Sequence, residues 1–120
     1  MPVAWIVDDD DEMSTAVRLM LQLLDHKVEI FREARAAARA LLAGRKPDFF
    51  ILDINMPEVS GIDFLEFGRM RPELKGLPVV MLSSETTDVQ VDEALRKGAN
   101  AFVFKPVTLE ELEAAAREAT

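Results

Sequence analysis

The chain has 120 residues, a length typical of one domain, and its balance of 49% apolar and 30% charged residues is typical of a folded, soluble protein. It contains no cysteine and a single histidine, His26, which excludes disulfides, thiolate chemistry and multi-histidine zinc sites; any metal must therefore use oxygen ligands. The net charge of −8 argues against direct binding of nucleic acid or of an anionic membrane surface.

Strand and helix patterns alternate along the chain, which predicts five βα units in one domain spanning residues 1–120. The predicted strands are Val3–Val7, 28–31, 49–52, 79–82 and Ala101–Phe104. The predicted helices are the helically spaced set Met13, Ala16, Val17, Met20, Leu21 and Leu24, then 34–43 (ending at Gly44), 62–70, 88–97 (ending at Gly98), and a last helix that Thr108 opens. Glu111 is placed to complete a capping box with Thr108. Three strands are almost wholly apolar, as in parallel strands covered on both faces, so we predict a doubly wound α/β fold.

The N-terminus lacks the basic region of a secretory signal, and no apolar run approaches the roughly 18 residues of a membrane span. We therefore predict a cytoplasmic location with no membrane partner.

Polar residues follow the predicted strands at the points where the strands end. They are Asp8 and Asp9 after the first strand, Asp53 after the third, Ser83 and Ser84 after the fourth, and Lys105 after the fifth. In open α/β sheets such residues gather at the carboxyl edge, where ligands bind. Clustered carboxylates repel one another, and a divalent cation with octahedral oxygen coordination, Mg2+, relieves that repulsion. A lysine and a hydroxyl beside them suit the oxygens of a phosphoryl group.

Each of these signals has an ordinary structural alternative. An Asp-Asp pair after a strand is often a solvated turn, and a strand-end serine is often a helix cap. We assign a structural role to Asp10, Asp11 and Glu12, as acids in the first turn of a helix that complement its dipole. Asp53 differs because it ends a wholly apolar strand, where a carboxylate is costly without partners.

The segment from Asp53 through Met56 and Pro57 to Gly61 resembles the phosphoacceptor loop of two-component response-regulator receivers. The remaining strand-end residues match the other receiver motifs in order and approximate spacing: Val7-Asp8-Asp9, Ser83-Ser84 and Lys105-Pro106. The resemblance covers the whole chain and is closest to single-domain receivers of the chemotaxis type. It implies a flavodoxin-like fold with five helices and a five-stranded parallel sheet of order 2-1-3-4-5.

The resemblance also implies residue roles at the site. Asp53 takes a phosphoryl group from a histidine kinase or a histidine phosphotransfer protein. Asp9 ligates Mg2+ directly, Asp8 assists, and Asn55 offers its backbone carbonyl. Lys105 pairs with a phosphoryl oxygen, and its bond to Pro106 is expected to be cis.

A second set of implied roles concerns switching and phosphoryl lifetime. Ser83 is the switch hydroxyl, and Phe102 occupies the switch-aromatic position, without the hydroxyl of the tyrosine often found there. Asn55 and Glu85 flank the path of an attacking water and tune lifetime. The expected readout is a protein target bound by the face of the fourth helix, the last strand and the last helix.

Three other functions are compatible with parts of this pattern. A magnesium-dependent phosphohydrolase with an aspartate nucleophile typically has a second aspartate as general acid where this chain has Asn55. A flavodoxin-like cofactor binder needs a phosphate-cradling loop where this chain has acids 8–12. A pseudo-receiver would share the fold without accepting phosphate, and only a phosphorylation measurement separates it from a working receiver.

Overall fold

The protein forms one five-stranded parallel sheet covered by helices on both faces, in a computed structural model that describes residues 2–54, 56, 59–72, 74–83 and 88–119, with 88–90 described by their backbone alone. The strands are β1 (Val3–Val7), β2 (Lys27–Phe31), β3 (Phe49–Asp53), β4 (Val79–Ser83) and β5 (Ala101–Phe104). The helices are α1 (Asp11–Leu23), α2 (Ala34–Leu42), α3 (Gly61–Arg69), α4 (Asp88–Arg96) and α5 (Leu109–Ala119).

The strand order is β2-β1-β3-β4-β5, and every neighbouring pair is parallel, so the predicted topology is confirmed. The register aligns the carboxyl ends of the strands. Val7 lies opposite Leu52, Asp53 opposite Leu82, and Ser83 opposite Phe104. Residues that follow these strands therefore emerge at one edge of the sheet.

Two apolar layers cover the two faces of the sheet. Alternate residues of β1 enter opposite layers, with Trp5 on the side of α2 and α3 and Ile6 on the side of α1 and α5. All five residues of β3 and all five of β4 are buried, which explains why the first four residues of each strand are continuously apolar rather than alternating. No helix in the described part of the chain is long and apolar enough to span a bilayer.

The helices α2 and α4 begin at residues 34 and 88, as predicted, whereas α2, α3 and α4 each end one residue before the predicted ends at 43, 70 and 97. Gly44 adopts a left-handed φ of 92° and its N–H donates to the carbonyl of Leu41, which closes α2. One half of the predicted capping box is confirmed, since Glu111 N donates to Thr108 Oγ1 at 3.2 Å; the Glu111 carboxylate accepts from the Thr108 hydroxyl at 2.9 Å rather than from the Thr108 N–H.

Asp10 is a correction to the predicted first turn of α1. It occupies the N-cap, with extended backbone, and its side chain accepts from Met13 N at 3.1 Å. Asp11 and Glu12 do lie in the first turn, as predicted. Asp10 therefore acts by capping an N–H group rather than by complementing the helix dipole from within the helix.

Candidate functional site

Three carboxylates meet at the carboxyl edge of the sheet. Asp8 follows β1, Asp53 ends β3, and Asp9 lies beside them, with one oxygen of each residue within 4.8 Å of the others. Asp8 and Asp53 are 1% and 4% exposed, whereas Asp9 is more exposed to solvent. Because Asp8 and Asp53 are buried, little solvent lies near their carboxylates to screen the repulsion between them.

The backbone around the start of α1 holds Asp8 in one orientation. Asp10 N donates to Asp8 Oδ1 at 2.9 Å, and Asp8 N donates to the carbonyl of Phe31 at 3.0 Å. Ser14, which is buried in the first turns of α1, contacts the Asp8 carbonyl through its hydroxyl at 3.5 Å. The Asp8 carboxylate is thus fixed by Oδ1, and Oδ2 is left to face the other site residues.

Lys105 is the cation of the cluster. Its Nζ lies 3.5 Å from Asp8 Oδ2 and 3.5 Å from Asp53 Oδ1, with the side chain 16% exposed. The strand end places it there: Lys105 N donates to the Ser83 carbonyl at 2.8 Å, and the Lys105–Pro106 peptide bond is cis, as expected. The Lys105 ammonium contacts two of the three clustered carboxylates, so the four side chains together keep an excess of negative charge.

The donor set suits a hard cation. Asp8 Oδ2 is buried and accepts no hydrogen bond within the described part of the chain, although Lys105 Nζ lies near it. A buried carboxylate oxygen without a hydrogen bond is costly, and a metal ligand bond removes that cost. The ligand atoms available are all oxygens, which Mg2+ prefers.

The predicted switch residues lie on the two strands next to β3. Ser83 is fully buried at the end of β4, one residue beyond the position that pairs with Asp53. Phe102 is half-buried on β5, opposite Met81, and its ring centroid lies 5.0 Å from that of Phe104. Asn55, Ser84 and Glu85 lie outside the described residues.

Gly61 contributes to the site in a way that the sequence did not reveal. A Cβ built on Gly61 would lie 2.3 Å from the carbonyl oxygen of Asp53 and 2.9 Å from its carbonyl carbon. Gly61 N also donates to the Ile54 carbonyl at 2.9 Å, which ties the start of α3 to the residue after Asp53. Only glycine permits this approach, and the one signal in the sequence is a glycine at the end of the acceptor-like loop.

The sheet order and the helices on both faces place the chain in the flavodoxin-like class of α/β proteins. Its sequence matches the response regulator receiver domain family over residues 4–117, and the chain belongs to that family. It is therefore a receiver domain of two-component signalling, as the strand-end motifs indicated.

Relatives of this chain include both short and long proteins. It is 35% identical over 107 residues to the chemotaxis protein CheY of Pseudomonas aeruginosa, covering 89% of this chain and 86% of that protein. It is 33% identical over 107 residues to the transcriptional regulatory protein AfsQ1 of Streptomyces coelicolor, covering 89% of this chain but 46% of AfsQ1. The chain thus spans about half the length of some curated relatives. The solved structure of Vibrio cholerae CheY4 superposes with a TM-score of 0.89 at 30% identity, covering 100% of this chain and 99% of that one.

Proposed function

We propose that Asp53 accepts a phosphoryl group from a histidine kinase or a histidine phosphotransfer protein and that this modification switches a protein-binding surface. The observation that carries the proposal is the position of Asp53: a buried carboxylate, 3.5 Å from the Lys105 ammonium and clustered with two further acids. In the transfer, an Asp53 oxygen bonds to phosphorus as the phosphorus–nitrogen bond of the donor breaks. The bonding electron pair stays on the imidazole nitrogen of the donor.

Mg2+ would be held by the carboxylates of Asp8, Asp9 and Asp53 and by the backbone carbonyl of Asn55. The three carboxylates lie close together at the edge of the sheet. When bound, Mg2+ neutralises charge on the carboxylates and on the phosphoryl oxygens. Asp10 contributes by positioning, because its N–H fixes Asp8 Oδ1.

Lys105 and Ser83 supply the protein's own contacts to the transferred group. The Lys105 ammonium, now between Asp8 and Asp53, binds one phosphoryl oxygen, and the Ser83 hydroxyl donates to another. Each charge-assisted hydrogen bond contributes about 1.5–3 kcal/mol. Two or three of them approach the roughly 5 kcal/mol needed to convert a 1:99 population to 99:1.

The surface that responds in this proposal consists of α4, β5 and α5. α4 begins at Asp88, five residues after Ser83, so movement of the β4 end is passed on to that helix. Phe102 lies half-buried on β5, the strand paired with β4. When Ser83 moves toward the phosphoryl group, the Phe102 ring moves inward into the space that Ser83 leaves. A target protein that binds this surface would distinguish the two states.

The remaining parts of the proposal follow from the sequence. The domain, residues 1–120, is not an enzyme acting on a free substrate; it assists its own phosphorylation and dephosphorylation, with Asn55 and Glu85 tuning phosphoryl lifetime. The location is the cytoplasm, where ATP supplies the donor's phosphoryl group. Direct contact with nucleic acid or membrane is not part of the function, because a net charge of −8 repels phosphate surfaces.

The test is phosphorylation of purified protein by acetyl phosphate with Mg2+, followed by intact-mass spectrometry. Asp53→Asn abolishes the added mass, whereas Asp63→Asn, an exposed acid in the first turn of α3, retains it. Undiminished labelling of Asp53→Asn would refute the assignment. A wild type that acquires no phosphoryl group from acetyl phosphate or from any of its organism's histidine kinases would support the pseudo-receiver instead.

Lys105→Ala separates acceptance from switching. We expect this variant to take some phosphate on Asp53 but to lose the gain in target affinity that phosphorylation gives the wild type. Partner binding measured before and after phosphorylation decides the point. An unchanged gain in the variant would contradict the role of Lys105.

A further inference from the structure

Positive charge is concentrated around α2, in a chain that is otherwise strongly acidic. Residues 32–46 contain five basic side chains and one acidic side chain, a net charge of +4, so the remaining residues together carry −12. We call the five basic residues and Leu42 the basic α2 face; the basic residues are Arg32, Arg35, Arg39, Arg45 and Lys46. Asp11 and Glu29, which pair with Arg32 and Arg45, offset two of these charges, and the segment together with these two acids keeps a net charge of +2 within an acidic protein.

The helix itself arranges part of this face as a row. α2 turns Ala34, Ala37, Ala40 and Leu41 into the core, which leaves the opposite side for Arg35, Arg39 and Leu42. These three positions follow the spacing i, i+4, i+7, so their side chains lie one above another. All three are exposed, with Leu42 at 58%. The row is about 10 Å long, enough for about three residues of an extended peptide.

The flanking arginines are held in place by exposed contacts. Arg32 Nε lies 3.0 Å from Asp11, and Arg45 pairs with Glu29 while its guanidinium lies 5.2 Å from the centre of the Trp5 ring. Exposed pairs of this kind contribute little to stability, and each guanidinium keeps further donors for another partner. Arg39 forms no ion pair with any residue in the described part of the chain.

The face is separate from the surface proposed to respond to phosphorylation. α2 packs with Trp5 and Phe50 on one side of the sheet, where Ala94 of α4 also packs, and α5 packs on the other side. Along the sheet, β2 and β1 stand at the end opposite to β4 and β5. A partner on the basic α2 face therefore leaves α4, β5 and α5 accessible.

We propose that the basic α2 face docks an acidic segment of a partner protein, with carboxylates on Arg35 and Arg39 and an apolar side chain on Leu42. Charge complementarity selects the sign of the partner, and the exposed leucine selects a polypeptide over a nucleic acid. A nucleic acid would also carry its phosphates past the short patch onto acidic surroundings. Docking on this face does not involve Asp53. A failure of the docking proposal would therefore leave the proposed phosphoryl switch untouched, and the reverse is also true.

The test measures binding of a fluorescein-labelled peptide of Glu-Glu-Leu repeats by fluorescence anisotropy, with a Gln-Gln-Leu peptide as the uncharged control. Arg39→Glu weakens binding of the acidic peptide about tenfold at low salt, and added salt weakens wild-type binding. The matched control is Lys75→Glu, the same charge reversal at an exposed loop residue, which leaves binding unchanged. Asp53→Asn also binds like the wild type.

Four results would overturn the proposal. The first is that the wild type does not bind the acidic peptide. The second is that Arg39→Glu and Lys75→Glu lose the same amount of affinity for that peptide. The third is that the wild type binds a labelled oligothymidylate more tightly than the acidic peptide. The fourth is self-association in sedimentation velocity that Arg39→Glu abolishes, since it would identify the occupant as a second copy of this chain. Circular dichroism of both variants confirms that each remains folded.

Discussion

Two glycines in α3 provide a matched pair of alanine substitutions with opposite expected outcomes. In Gly61→Ala, the new Cβ must move by at least about 0.7 Å to lengthen a 2.3 Å contact with the Asp53 carbonyl oxygen to 3.0 Å, which is still a tight contact. The position of a Cβ is fixed by its own backbone, and the atom that it meets is a backbone oxygen, so rotamer changes do not relieve the contact. Overpacking of this kind costs about 1–3 kcal/mol, and weakening the Gly61 N to Ile54 carbonyl bond adds about 1 kcal/mol.

Gly68→Ala is the control, since a Cβ on Gly68 meets nothing within 4 Å. Gly68 lies in α3 beside a small apolar cavity, so alanine gains about 0.5–1 kcal/mol from helix propensity without a clash. Gly61→Ala should therefore lower the free energy of unfolding by about 2–4 kcal/mol, and Gly68→Ala should raise it slightly.

The same pair tests how accurately Asp53 must be placed. A displacement near 0.7 Å exceeds the roughly 0.5 Å tolerance of a catalytic constellation, so Gly61→Ala should slow labelling of Asp53 by acetyl phosphate about 10–100-fold. Gly68→Ala should be labelled at the wild-type rate. Urea denaturation gives the stabilities, and rates are measured under conditions where each variant is folded. A Gly61→Ala protein with wild-type stability and labelling would refute the role assigned to the close approach.

Three other substitutions test the structure away from that contact. Asp25 follows α1 with a φ of 64°, so Asp25→Gly should stabilise the protein by about 0.5–1 kcal/mol in urea denaturation, whereas Asp25→Ala should not. Arg69 donates hydrogen bonds to the carbonyls of Gly98, Lys75 and Leu77 and to Asn100 Oδ1, and burial lowers the pKa of its guanidinium. Arg69→Met should therefore lower the free energy of unfolding by about 3 kcal/mol, which is more than Arg71→Met should lower it. Asp53→Asn relieves repulsion among the carboxylates, so it should raise the melting temperature of the protein in EDTA. It should also reduce the increase in melting temperature that added Mg2+ produces. A variant that melts at a lower temperature than the wild type in EDTA would contradict this reasoning.

Periodicity was sufficient to predict every strand and the order in which polar residues leave the sheet. The predicted strand 49–52 needed only Asp53 to become β3, and Ala101–Phe104 is β5 as predicted. For β1, β3 and β4 this succeeded because nearly all of their residues are buried, so each strand is apolar up to the first polar residue, which marks its end. The acidic cluster followed from that rule together with the parallel topology.

Features that depend on contacts between distant segments could not be predicted in this way. Arg69 was simply a helical cation in the sequence, yet its carbonyl partner on Gly98 lies 29 residues away along the chain. Gly61 acts through a backbone contact with Asp53 that no local pattern encodes. Asp10 was misplaced by one position because capping depends on the backbone conformation at the helix start.

The acidic cluster is a stability cost that the rest of the fold offsets, and this cost is why it indicates function. Burying a carboxylate costs several kcal/mol before its partners are counted, and here Asp8 and Asp53 share one ammonium, from Lys105. Apolar residues at the same strand ends would extend the two layers that already bury all of β3 and β4. A sequence shaped only for stability would use them, which supports the proposal that these carboxylates serve to bind a cation and to accept a phosphoryl group. The adjacent buried strands supply the rigidity that holds two repelling acids in place when neither a cation nor a phosphoryl group is bound.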